Sequence, residues 1–154
     1  MAYEPLYVAY LIYFNRDRDY FECHEVLEEL WLQRDRDPLY KALLQVAVGL
    51  FHFRRGNLRG ARMMLERSSG VLKRYPQVML GIRLGKLAAE AEELADGLAP
   101  EAYAAEPLPY RDLTIEIADD DLAEAVRVRS AALAANPHPR RVPQRRRPPI
   151  LPQE

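Results

Sequence analysis

The sequence predicts an all-α fold: a compact helical bundle of about five to six helices, built on an antiparallel hairpin and trailed by an extended Pro/Arg-rich C-terminal tail. Three observations carry that prediction. From Leu39 to Phe53 the chain is apolar nearly all round, as a central buried helix must be. On either side, apolar residues recur at helical spacing, in Tyr20–Trp31 and again at Ala61, Met64, Leu65, Ser68 and Leu72. Start and stop signals fall between these stretches.

In chain order, Pro5–Phe14 reads as a first helix with Leu6, Ala9, Tyr10 and Tyr13 inward. Phe14-Asn15-Arg16-Asp17 reads as a turn, with Asp17 capping the next helix. Asp37-Pro38 opens the central helix, since Asp accepts from exposed amides and Pro loses nothing at the first helical position. Arg54-Arg55-Gly56 closes it: two cations suit the negative helix end, and glycine suits a left-handed stop. Asn57 caps a helix over Leu58–Tyr75, and Pro76 ends it. A further helix is expected over about Met79–Leu98. Beyond Pro100, Pro107 and Pro109 interrupt regular structure, and Leu113–Ile117 alternates like an extended segment. Asp121 with Glu124 resembles a capping box opening a last helix to about Ala135. The organisation is therefore a helical core over 1–99, an extended segment plus helix over 100–135, and a tail over 136–154.

At 154 residues the chain fits one domain. Its net charge of −1 hides an asymmetry, because the Arg-rich tail leaves the body acidic. A single cysteine, Cys23, permits no intrachain disulfide and fits a reducing cytosol. Met1–Pro5 shows no basic region followed by an apolar core, so no secretory signal is expected. The longest apolar run carries Gln45 and is too short to span a membrane. A cytoplasmic location follows as the expectation. The tail, rich in Arg and Pro without glycine, favours polyproline II and is expected to dock on the body or on a neighbouring subunit, which makes a homo-oligomer the expected state. Arg145–Arg147 without interleaved aromatics gives charge but no stacking, so nucleic-acid binding through it would be unspecific.

Four polar residues fall where apolar ones belong. On a helical projection His24 lies inside the apolar arc of Tyr20–Trp31, next to Trp31, and Glu28 lies at its edge. Glu22, Glu25 and Glu29 cluster on the opposite, solvated face. Gln45 and His52 share one stripe of the central helix. A short link at Arg34–Asp37 makes the two helices antiparallel, so position i faces roughly position 71 − i when both climb about 1.5 Å per residue. Side chains leaning toward their own N-termini then bring His52 toward His24 and Gln45 toward Glu28.

Phe14-Asn, Tyr20-Phe-Glu-x-His-Glu-x-Leu-Glu with Trp31 downstream, Gln45-x-Ala-Val, His52 and Arg55-Gly-Asn57 together resemble the family catalogued as domain of unknown function 309. The resemblance covers about Tyr13–Leu72 and implies an all-helical domain. Family members are sometimes labelled predicted metal-dependent hydrolases.

Two chemistries suit these residues. His24, Glu28 and His52 would form a two-histidine, one-carboxylate set for a divalent metal such as zinc, with Glu25 as a general base. The second His of the zincin pattern is absent, however, and Glu25 projects away from His24. Alternatively, His24, Glu28, Gln45 and His52 form a satisfied network that fixes hairpin register, with Trp31 as packing. The function classes are then a structural or scaffolding helical protein, a metal-dependent hydrolase, and an interaction module. The last is suggested by Gly49, His52, Ala61 and Leu65, whose spacing resembles a tetratricopeptide hairpin.

Overall fold

The computed structural model describes residues 3–135, so the expectations placed on the tail 136–154 lie outside the described residues. Helix α1 runs Pro5–Ile12 and continues into one π-helical turn, Tyr13–Asp17. Then follow α2 (Tyr20–Gln33), α3 (Pro38–Arg54), α4 (Leu58–Leu72), a hairpin of β1 (Val78–Met79) and β2 (Ile82–Arg83), α5 (Leu84–Gly97), α6 (Pro100–Ala105) and α7 (Asp120–Ala132). The fold is all-α, as the periodicity predicts, with two short strands added.

Helix α3 is the axis of the molecule. Thirteen of its 17 residues are buried, because α2 and α4 pack along it from two sides and the Tyr10 hydroxyl of α1 donates to the Leu43 carbonyl at 2.8 Å. Helices α1 to α5 stack in sequence, each on the next, with α3 against α4 the most extensive pair. Gly49 makes that approach possible. A Cβ there would lie 2.8 Å from Leu65 Cγ and 3.3 Å from Met64 Cβ. The small-residue spacing noted in the sequence is thus a close helix crossing.

Asp37 caps α3 by accepting from the Leu39 N–H, and Pro38 sits in its first turn. At the other end Gly56 adopts φ 86°, the Asn57 N–H returns to the His52 carbonyl at 2.8 Å and the Gly56 N–H to Phe53. This is the hydrogen-bond pattern of a left-handed helix stop. Asn57 Oδ1 then accepts from the Gly60 N–H, opening α4.

Several expected boundaries shift. The first turn is not a loop at Phe14–Asp17: the π-turn carries the chain to Arg18 at φ 53°, and Asp19, not Asp17, caps α2 by accepting from the Glu22 N–H. Helix α5 begins at Leu84 rather than near Met79, since Val78–Arg83 pair as a hairpin. Helix α4 stops at Leu72, and a short helix α6 opens at Pro100. The last helix is capped by Asp119, which accepts from the Leu122 N–H, while Glu124 is engaged by Arg127 instead of closing a capping box. The extended reading of Leu113–Ile117 holds, with Ile117 bridged to Ile82. No helix among the described residues is long and apolar enough to cross a membrane.

Candidate functional site

The register across α2 and α3 matches the sequence estimate. Phe21 meets Phe51 with ring centroids 6.3 Å apart, and Lys41 lies 4.9 Å over the Trp31 ring. Both pairs fit the expected antiparallel level to within about one residue, or roughly 1.5 Å of rise.

His24 is fully buried on α2. Its Nε2 lies 3.8 Å from Glu28 Oε1, one turn further on, and the Glu28 side chain is 35% exposed. That separation is beyond a hydrogen bond and within ion-pair reach for a protonated imidazole. The structure therefore brings His24 and Glu28 together, with the carboxylate at the rim. Gln45 is buried on α3. Glu29 is exposed as expected, but Glu22 and Glu25 are partly buried, which corrects the fully solvated face assigned to all three. Trp31 is half-buried between two cations, Arg36 at 5.0 Å and Lys41 at 4.9 Å from its ring. Its indole nitrogen is buried and has no hydrogen-bond partner.

His52 has other neighbours. Its Nδ1 is 3.3 Å from Asn57 Nδ2 and 3.5 Å from an Arg55 nitrogen. The Asn57 amide is oriented by the Gly60 N–H at its oxygen, so its nitrogen must donate. His52 Nδ1 therefore accepts, and the ring proton sits on Nε2. Burial, followed by the nearby Arg55 charge, lowers the His52 pKa and keeps the ring neutral. A metal at Nε2 would require the proton on Nδ1, facing two donors. The residues thus do not fit the ligand set His24, Glu28 and His52. Among the described residues, no three His, Cys, Asp or Glu are grouped to hold a metal ion.

A second polar cluster escaped the sequence reading. The Tyr20 and Tyr110 hydroxyls both donate to Asp112 Oδ1, at 2.6 and 2.5 Å. Arg54 lies 4.8 Å over the Tyr20 ring and donates to the Arg18 carbonyl at 2.8 Å. Burial resists ionisation of Asp112, but the bonds from Tyr110 and Tyr20 and the charges of Arg18 and Arg54 win, so its pKa falls below the usual value. Burial pushes the Tyr20 hydroxyl well up, and the neighbouring Tyr110 and Asp112 add to this. Tyr20 lies in the recognised motif, but its partners lie some ninety residues away, where spacing carries no signal. Cys23 is buried, its thiol 3.6 Å from the Tyr10 carbonyl, and burial raises its pKa, which makes it a poor nucleophile.

Comparison with known proteins places this geometry in a family. The model of a domain of unknown function (DUF309) matches residues 7–64, which span the π-turn, α2, α3 and the start of α4. An uncharacterized protein of Bacillus subtilis (strain 168), YpuF, is 33% identical over 131 residues, covering 82% of this chain and 72% of its own length. An uncharacterized protein of Aquifex aeolicus (strain VF5) is 28% identical over 79 residues, 49% of this chain and 24% of that protein. No solved structure matches. With a relative of that identity aligned over most of both chains, and the motif helices coinciding with the matched segment, the chain belongs to the DUF309 family.

Proposed function

We infer that this protein is a non-catalytic helical scaffold in which the family motif holds the architecture of its central hairpin. One observation carries the reading: His52 Nδ1 lies 3.3 Å from the side-chain nitrogen of Asn57, an amide whose oxygen also caps α4. One histidine of the ligand set expected for a metal-dependent hydrolase is thereby committed to a helix–helix corner. Other motif residues do similar work. Tyr20 ties α2 to Asp112, Asn15 holds Ile115, and Gly56 makes the left-handed stop. Glu25 has no role as a general base in this reading.

The sequential stacking of α1 to α5 favours a more specific form of the same reading, an interaction module of stacked helices. Its close α3–α4 crossing at Gly49 is the feature shared with repeat hairpins.

The test is metal content and its consequence. Elemental mass spectrometry of the purified chain should give no stoichiometric metal, and added zinc should leave the melting temperature of wild type and of a His24→Ala/His52→Ala variant unshifted. One bound metal per chain, with a zinc-dependent rise in melting that the double variant loses, would overturn the scaffold reading.

A further inference from the structure

The stretch after α6 meets the rest of the chain as a partner strand would. Its side chains alternate, with Leu113 and Ile115 buried and Thr114 and Glu116 exposed. The Asn15 amide reads both polar groups of one residue: its nitrogen donates to the Ile115 carbonyl at 2.8 Å and its oxygen accepts from the Ile115 N–H at 2.9 Å. Arg18 donates to the Leu113 carbonyl and, at 2.9 Å, to Thr114 Oγ1. Tyr20 holds Asp112. On the opposite edge, the Arg83 N–H donates to the Glu116 carbonyl at 2.9 Å and the Ala118 N–H to the Gly81 carbonyl at 2.8 Å. The segment thus adds to the β-hairpin edge while a groove of Asn15, Arg18 and Tyr20 grips its other side, the arrangement of strand addition.

The chain on either side of this segment buries little. Helix α6 buries no residue, and Pro107 and Pro109 stand in the four residues that follow it. Helix α7 buries Leu122 alone, and its polar ties are Tyr3 to Asp119 at 2.7 Å and Arg16 to the Ser130 carbonyl at 2.8 Å. A self-contained grip on the arm, joined through a thinly packed proline linker, can form between copies with the same contacts as within one, against the entropic cost of association, so exchange is favoured by concentration. Every contact is reproduced in trans, without any new interface.

We propose that residues 110–132 are an exchangeable arm, and that the Asn15–Arg18–Tyr20 groove accepts the Asp112–Ile117 segment of a second copy of this chain. The proposal does not depend on the scaffold reading, since an arm exchanges whether or not the hairpin binds metal.

The experiment is light scattering of the full chain over a concentration series, with two variants. Asn15→Ala/Arg18→Ala disables the groove, and Leu113→Asp/Ile115→Asp disables the arm. Wild type is expected to shift from monomer to dimer with concentration, each variant alone to stay monomeric, and an equimolar mixture to regain a dimer, because one intact arm meets one intact groove. A wild type that is monomeric throughout overturns the proposal, as does a dimer that persists in both variants or fails to return on mixing. Should either variant lose its helical circular dichroism, Pro107→Gly/Pro109→Gly decides. Loosening the linker lets each arm return to its own groove, so the dimer dissociation constant should rise several-fold; an unchanged constant counts against exchange.

Discussion

His52 accepts at Nδ1 because the groups reaching that nitrogen, Asn57 Nδ2 and Arg55, are both donors. A pH dependence follows. Its folded pKa lies below the ordinary 6.5, so under acid the unfolded chain takes up a proton that the folded chain refuses. Stability is therefore full above the unfolded pKa and declines as pH falls through about 6.5 toward the folded value. Urea midpoints at neutral and mildly acidic pH should show this loss in wild type and a smaller one in His52→Gln; equal losses would remove His52 as the cause. Asn57→Ala deletes a helix cap together with the His52 contact, and should cost about 1–2 kcal/mol by denaturant titration. His24→Ala should cost about 3 kcal/mol through lost packing and exposed partners, and unchanged melting would contradict its burial. The Asn57 cap and the Gly56 stop were legible from sequence, since their signals are local. The His52–Asn57 contact was not, because a projection of α3 alone ends before the turn that brings Asn57 back.

Among the elements, α2, α3 and α4 were legible because their apolar positions and caps agree. Where they disagree, the reading failed. Val78–Arg83 continues a helix-like pattern, but Leu80 and Gly81 both adopt positive φ, 56° and 74°, which makes a two-residue hairpin turn of a kind that sequence normally announces with Asn-Gly. The Tyr7 hydroxyl donates to the Leu80 carbonyl at 2.8 Å and helps to hold it. The π-turn at Tyr13–Asp17 was equally hidden, since an extra residue in a helical turn leaves no compositional trace. At the α3–α4 crossing, Gly49→Ala would overpack Leu65, which is fully buried. Overpacking of roughly 1–3 kcal/mol outweighs the gain of about 1 kcal/mol in helix propensity. A lower denaturant midpoint is expected, and a more stable variant would show that the helices can part without cost. Asn15→Ala should raise hydrogen exchange at the Ile115 amide while α3 amides stay protected. Unchanged exchange at Ile115 would show that the segment is held by burial alone.

At the scale of the molecule, a hairpin recognised from residues 20–57 proved to be the axis on which the other helices stack. Its antiparallel register was readable because two helices joined by a short link have little freedom. Which polar residues share a centre was less readable. His24 and Glu28 meet because they lie one turn apart on one helix, whereas His52 meets Asn57 across the turn that ends α3, and Tyr20 meets Asp112, which returns from far along the sequence. The scaffold reading rests on the motif histidine of α3 being a neutral ring with its proton on Nε2. Long-range nitrogen–proton NMR of the His52 imidazole, with and without added zinc, tests this directly. The Nε2–H tautomer is expected in both spectra, with Nδ1 as acceptor; a ring protonated at Nδ1 whose Nε2 signal moves when zinc is added would defeat the scaffold reading.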